Sequence, residues 1–342
     1  MQKILIIKTS ALGDIMIALP HIEAITEQHR DDQIWILTGP QYAELFRNDP
    51  ALHVSVLDRR KKFAGNSTWA RAAWIRKQQF TCIYDLQGNR TSRLLVRLSG
   101  APKRVGTQPR SIYTHHPPDL YTRESGRNVF DRLNETLCSG GLFPATPGCV
   151  LHLADNDRRA VRSWKTGAGL SPVPYILLHG SGSREWPSKR WPEDHYARLA
   201  AMLETTGIRC VWVGGPEERG LNQRLARRCG IDATGLFTPL QLCLLGQGAV
   251  CAITNDSGPM HILSTANIPV FSFFGPTDWR RSHGAGQAGR ILTRKVSCSP
   301  CFSRVCHANR NHACLDTVSP EEVFKRVAGD MKLQQQPDVS RN

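Results

Sequence analysis

Lys3-Ile4-Leu5-Ile6-Ile7-Lys8-Thr9-Ser10-Ala11-Leu12-Gly13-Asp14-Ile15 opens the chain and decides how the rest is read. Lys3–Lys8 is rich in Ile and Leu, the composition of a parallel strand buried on both faces. Thr9–Asp14 is turn-like, and from Ile15 to Gln28 the residues Ile15, Leu19, Ile22 and Ile25 fall at helical spacing. The alternation continues with strands expected at Gln33–Leu37, His53–Leu57 and Thr81–Leu86, and helices at Gln41–Arg47 and Thr68–Gln79. Strands alternating with helices at this spacing imply a parallel α/β sheet.

A looser stretch runs from Pro102 to Gly126, broken by Pro109, Pro117 and Pro118, before helical patterns at Asn128–Cys138 and Asn156–Lys165. Thr166–Pro174 has the composition of a linker. Beyond it the alternation restarts. Strands are expected at Tyr175–His179, Arg209–Val213, Val250–Thr254 and Val270–Phe274, and helices at His195–Thr205, Leu221–Cys229 and Gly258–Ala266. The expected organisation is two α/β domains, 1–165 and 175–342, joined by the linker 166–174. At roughly 100–200 residues per domain, the length agrees.

The 342 residues carry 44 Lys+Arg against 29 Asp+Glu, a formal charge of +15. With 40% hydrophobic and 21% charged residues the chain is of the globular rather than the disordered class. No apolar run approaches the ~20 residues that cross a bilayer, and Ile4–Ile7 is too short for the core of a signal peptide. A cytoplasmic protein is expected, with its 11 cysteines mostly thiols and the sequon Asn66-Ser67-Thr68 unglycosylated. Cys82, Cys138, Cys149, Cys210, Cys229, Cys243 and Cys251 lie mostly in apolar segments and read as core.

The positive charge is concentrated. Arg59, Arg60, Lys61, Lys62, Arg71, Arg76, Lys77, Arg90, Arg93, Arg97, Lys103, Arg104 and Arg110 are opposed only by Asp85. Solvated helix faces would account for many such runs, but one-sided charge of this length favours an anion-binding surface. Nucleic acid is not the expected anion: no recognised module is present, and aromatics are not interleaved with the basic run.

In open α/β sheets ligands bind beyond the carboxyl ends of the strands, where helix N-termini attract anions. Three loops occupy that position. In Thr9–Asp14, Asp14 can serve as a helix cap or as a base, though a helix N-terminus weakens a carboxylate base. Gly180–Pro192 offers small residues for close backbone approach to a phosphate, the cations Lys189 and Arg190, and Pro192 as a first helical residue. Thr254–His261 offers a hydroxyl, a glycine and free N–H groups for a pyrophosphate.

Other signals carry less. Gly284-Ala285-Gly286-Gln287-Ala288-Gly289 matches a dinucleotide fingerprint as a string, but a polar stretch precedes it and a strand follows, so a flexible loop is expected. Asp155-Asn156-Asp157 precedes a helical pattern and reads as helix capping rather than a metal-binding Asp-x-Asp. Cys298-x2-Cys301-x4-Cys306-x7-Cys314, with His307 and His312, has one spacing suited to zinc. Its second pair is irregular, and unligated thiols are expected.

Lys8-Thr9-Ser10-Ala11-Leu12-Gly13-Asp14-Ile15, Lys189-Arg190-Trp191-Pro192, Asp256-Ser257-Gly258-Pro259-Met260-His261 and Phe274-Gly275-Pro276-Thr277-Asp278 stand in the order found in glycosyltransferase family 9. The chain resembles the lipopolysaccharide heptosyltransferases of that family. Cys298-Ser299-Pro300-Cys301-Phe302, with Cys306 and Cys314, is similar to a segment of the heptosyltransferase II-like branch; Trp279 stands where the family often has proline.

The resemblance implies a GT-B fold, two Rossmann-like domains with a cleft between them. It implies an inverting, metal-independent and cofactor-free transfer of heptose from ADP-heptose to the lipopolysaccharide inner core, by an enzyme peripheral at the cytoplasmic face of the inner membrane. Another nucleotide sugar is the alternative donor. Asp14 would be the general base and Lys189 would neutralise the leaving diphosphate. Ser181, Ser183, Asp256, Ser257, Gly258 and His261 would hold the donor, with Glu218, preferred to Glu217, on its ribose. Ser10, Gly13, Arg59, Arg60, Lys61 and Lys62 would meet the acceptor.

Overall fold

Every strand pairing described is parallel. Strands so paired are buried on both faces and need helices as crossovers, which the chain supplies between them. A computed structural model describes residues 1–61, 65–118, 126–148, 152–182, 185–307 and 312–334. The contacts divide the chain into two units, Met1–Ala154 and Asp155–Asn342.

The first unit runs β1 (Lys3–Ile7), α1 (Leu12–Gln28), β2 (Gln33–Thr38), a 3-10 helix (Pro40–Phe46), β3 (Leu52–Val56), α2 (Thr68–Gln78), β4 (Cys82–Asp85), α3 (Arg90–Ser99), β5 (Lys103–Gly106) and α4 (Val129–Ser139). The sheet order is β3-β2-β1-β4-β5, with Ile6 aligned on Ile36 and Tyr84. Leu5, Ile7, Ile83, Leu95 and Val96 share one buried cluster under α2 and α3. The expected helix at Gln41–Arg47 is the 3-10 segment, entered through Pro40. Neither α3 nor β5 was anticipated. The apolar face of α3 is interleaved with the arginines of a charged run, and β5 is a four-residue edge strand that begins with two cations.

The second unit runs α5 (Asp155–Gly167), β6 (Tyr175–His179), α6 (Glu193–Glu204), β7 (Arg209–Trp212), α7 (Arg219–Arg228), β8 (Ile231–Asp232), α8 (Pro239–Gln247), β9 (Cys251–Asn255), α9 (Gly258–Ser264) and β10 (Val270–Phe273). It ends in α10 (Trp279–Ser282), β11 (Ile291–Leu292), α11 (Ala313–Asp316) and α12 (Pro320–Gln334). The sheet order is β11-β10-β9-β6-β7-β8, the doubly wound pattern. The division falls before α5, not after residue 165, because α5 packs on its own unit. Gln241 Nε2 donates to Asp157 Oδ1 at 2.7 Å, Trp164 meets Phe237 edge-on at 5.0 Å, and the Lys165 ammonium lies 5.0 Å from the Tyr175 ring. Asp155 and Asp157 thus stand in the first turn of α5, where the helix dipole favours them.

Gly284–Gly289 is an ordered turn rather than a flexible loop. Gln287, buried, accepts the Val270 N–H at 3.0 Å and donates to Ile268 O at 3.1 Å. Pro192 caps α6 from outside rather than beginning it. Cys82, Cys210, Cys243 and Cys251 are core thiols, but Cys138 is exposed and Cys229 half-buried; Cys149 lies outside the described residues. No described helix is long and apolar enough to cross a membrane.

Trp191 ties the turn before α6 to the core and to the start of α12. It stacks on Phe273 with centroids 4.3 Å apart, and its Nε1 donates to Val318 O at 2.9 Å. Trp191→Ala removes a fully buried indole and leaves that carbonyl unpaired. A loss of about 3–5 kcal/mol is expected in chemical denaturation; a change under 1 kcal/mol would mean that the site collapses without cost.

Candidate functional site

A parallel sheet gathers the strand-to-helix turns at its carboxyl edge, and the strand order reverses between β1 and β4 in the first unit and between β6 and β9 in the second. Each reversal is crossed by one carboxamide. In the first unit the Gln87 carbonyl accepts the backbone N–H of Thr9 at 2.8 Å and of Ser10 at 2.9 Å. In the second, Asn255 Nδ2 donates to Gly180 O at 3.1 Å and Ser181 O at 2.7 Å, while its Oδ1 accepts the Trp191 N–H at 3.0 Å. The loops expected to bind ligand are therefore pinned by residues that sequence reasoning did not single out.

Asp14 is the third residue of α1, not its cap. Ala11 precedes the helix, and Asp14 Oδ2 reaches back to the Ala11 N–H at 3.3 Å. Ser10 and Gly13 flank it, half-buried. Beside it Lys8, at the end of β1, is 4% exposed and donates to Leu86 O at 3.1 Å. Burial pushes the Lys8 ammonium below its usual value, while the charges of Asp14 and Asp85 act to raise it. Asp85, closing β4, is buried and accepts from the Tyr113 hydroxyl at 2.6 Å and the N–H groups of Gln87 and Gly88 at 2.9 Å. Burial still pushes its carboxyl up. Tyr113 lies so close over Gly106 that a Cβ there would sit 2.3 Å from its ring.

Arg59, Arg60 and Lys61 are exposed in the loop after β3, on the same carboxyl edge; Lys62 lies outside the described residues. Asp58 N–H donates to Asn66 O at 2.9 Å and closes the neck of that loop. The basic run is not one surface. Arg76, Lys77 and Arg97 occupy the last turns of α2 and α3, and Lys103 opens β5, which puts all four at the opposite, amino edge. Arg71, Lys103 and Arg104 hold neighbouring chain: Arg71 donates to Ser55 Oγ at 2.9 Å, Lys103 to Gly140 O at 2.7 Å and Arg104 to Ile112 O at 2.7 Å.

In the second unit the structure brings Glu218 and Ser257 to His179, the last residue of β6, with Ser181 on Glu218. The His179 Nε2 lies 3.1 Å from a Glu218 oxygen and Nδ1 lies 3.2 Å from Ser257 Oγ. Glu218 also accepts the Gly215 N–H at 2.9 Å and bonds Ser181, whereas Glu217 is exposed. Lys189 Nζ sits 2.8 Å from Asp256 Oδ2, which accepts the Thr277 hydroxyl at 2.6 Å, and lies 5.1 Å from the Trp186 ring centroid. Ser257, Gly258 and His261 line the start of α9, half-buried; Ser183 lies outside the described residues.

The cysteine segment braces the Lys189 turn. Ser188 Oγ donates to Ser303 O at 2.7 Å, Ser188 N–H to Arg304 O at 3.2 Å, and Phe302 N–H to Pro276 O at 2.7 Å. Burial, with Cys298, Cys306 and Cys301 nearby, pushes the Cys314 thiol up to about 11. Among the described residues no three His, Cys, Asp or Glu side chains are gathered as a metal ion would need.

The sequence model of glycosyltransferase family 9 (heptosyltransferase) matches residues 69–312. Lipopolysaccharide heptosyltransferase 1 of Pseudomonas aeruginosa is 26% identical over 331 residues, covering 89% of this chain and 87% of that protein. Lipooligosaccharide heptosyltransferase 2 of Campylobacter jejuni serotype O:6 is 22% identical over 337 residues, covering 95% and 98%. Among solved structures, a family 9 glycosyl transferase from Veillonella parvula superposes with a TM-score of 0.79 at 22% identity, covering 98% of each chain. The E. coli ADP-heptose lps heptosyltransferase II does so with 0.73 at 17% identity, covering 98% and 100%. The two Rossmann-like units are those of the GT-B class to which these heptosyltransferases belong.

Burial acts to raise the Glu218 carboxyl, but the hydrogen bonds and charge of His179, with Ser181 and the Gly215 N–H, outweigh it and hold the group below its usual value. A carboxylate depressed in this way stabilises the fold above the unfolded value of ~4.3, and the effect is lost as pH falls through the lower folded value. Glu218→Gln should blunt the acid loss. Between about pH 5 and 3 the unmodified chain should lose about 2–4 °C more in Tm than the variant; parallel Tm curves would show that Glu218 is not held down by its partners.

Proposed function

This chain belongs to glycosyltransferase family 9, the heptosyltransferases, and we propose that it moves heptose from ADP-heptose to the inner core of lipopolysaccharide with inversion and without a metal. The reaction class has support from relatives matched over most of their length, which are lipopolysaccharide and lipooligosaccharide heptosyltransferases. The observation that carries the site reading is that in both units the polar groups stand at the carboxyl edge of a parallel sheet, at strand-to-helix turns. That edge is where α/β folds bind anionic ligands.

In this reading Asp14 takes the proton of the acceptor hydroxyl as that oxygen attacks the anomeric carbon, the bond to the diphosphate breaks, and ADP leaves with the electron pair. Lys189 meets the charge that grows on the leaving phosphate, a contact stronger in the transition state than in the ground state. Ser257, Gly258 and His261 hold the diphosphate, and Glu218, with Ser181 beside it, takes the ribose hydroxyls. Ser10 and Gly13 shape the acceptor side. Arg59, Arg60 and Lys61 meet its Kdo carboxylates and lipid A phosphates, and the same cations hold the enzyme at the anionic face of the inner membrane. Near such a surface each contributes about 1 kcal/mol.

Asp14→Asn keeps the shape and removes the basicity. A fall in kcat on the order of 10²–10⁴-fold is expected, with ADP affinity unchanged; near-normal turnover would reduce Asp14 to a helix-stabilising carboxylate. Arg59→Glu with Arg60→Glu should raise the acceptor KM steeply and weaken pelleting with anionic vesicles while leaving ADP affinity alone. If ADP binding changed instead, the acceptor and donor roles of the two units would have to be exchanged.

A further inference from the structure

His179 is absent from the reading above, yet it touches two residues of the donor side at once. Its ring is 1% exposed, fixed at the end of β6, whose last carbonyl accepts the Tyr196 hydroxyl at 3.1 Å. One nitrogen faces both oxygens of Glu218, at 3.2 and 3.1 Å, and the other faces Ser257 Oγ at 3.2 Å. A carboxylate only accepts, so Nε2 carries a proton and donates to Glu218. In that tautomer Nδ1 is an acceptor for the Ser257 hydroxyl, which also has Asn255 O at 3.2 Å, so the ring fixes where Oγ stands.

We propose that His179 is a positioning residue that couples the ribose-binding carboxylate Glu218 to the diphosphate-binding hydroxyl Ser257, so that one ring orients both groups toward the donor. The proposal rests on the donor-site reading given above. The groups that face His179 are Glu218 from the turn after β7 and Ser257 at the start of α9; next along the chain from Ser257 stands Asp256, paired with Lys189. A group bound at either residue therefore favours binding at the other, and the coupling is reciprocal.

The test uses the full chain and ADP as the probe, titrated calorimetrically. Asparagine at position 179 restores a polar group near Nδ1 and glutamine one near Nε2, and neither spans both partners. H179N and H179Q should each weaken ADP about tenfold, S257A about tenfold, and H179Q with S257A together still about tenfold rather than a hundredfold. E218Q with S257A together should likewise cost less than the product of the two single losses, which decides the matter if the His179 variants fail to fold. Normal ADP binding by H179N and H179Q, or losses that multiply in the double variants, would overturn the coupling. Normal ADP binding by both S257A and E218Q would instead overturn the donor-site reading beneath it.

Discussion

A carboxamide laid across the point where strand order reverses is the constraint on which both candidate sites depend. The turn after the first strand of each sheet lies between the ladder and the next helix, so neither regular element holds it. Gln87 holds Thr9 and Ser10 by accepting two N–H groups, and Asn255 holds Gly180 and Ser181 by donating to two carbonyls. The chemistry is opposite in sign. The first tie uses up donors beside Asp14, whereas the second leaves the N–H groups of Gly180 and Ser181 uncommitted to it, on the side where an anion is expected.

Electrostatics divides the same way. Around Asp14 the first unit buries Lys8 and Asp85 together, and burial of each would be costly without the other groups at that edge. The second unit keeps its charges partnered, Lys189 by Asp256 and Glu218 by the hydrogen bonds of His179 and the Gly215 N–H. Neither set is a surface salt bridge of small consequence, because the partners are fixed by the strand ends that carry them.

The sequence makes the long buried strands legible, since β1, β2, β6 and β10 are runs of Ile, Leu, Val, Phe and Trp that no other element explains. It hides α3 because charge dominates its reading, and β8 because two residues make no pattern; the strand expected after Gly289 is β11. At the sites, Asp14, Lys189 and Asp256 stand out as polar residues in Gly- and Ser-rich turns. His179, Asn255, Gln87 and Lys8 do not, because their roles come from spatial neighbours dozens of residues away. A polar residue that ends or directly follows an apolar strand is the signal visible in His179, Asn255 and Lys8; Gln87, two residues beyond β4, has none. The basic run misleads for a related reason: adjacency along a chain that reverses every dozen residues does not mean adjacency in space.

The contact of Lys189 with Asp256 also bears on the proposed reaction. An ammonium has three N–H groups, and Asp256, held by Thr277, engages it from one side at 2.8 Å. A phosphate arriving on another side would share the cation with a carboxylate that stays in place. On that reading the spent ligand would always leave against a resident competitor, so the grip proposed to help a bond break would not become a trap afterwards.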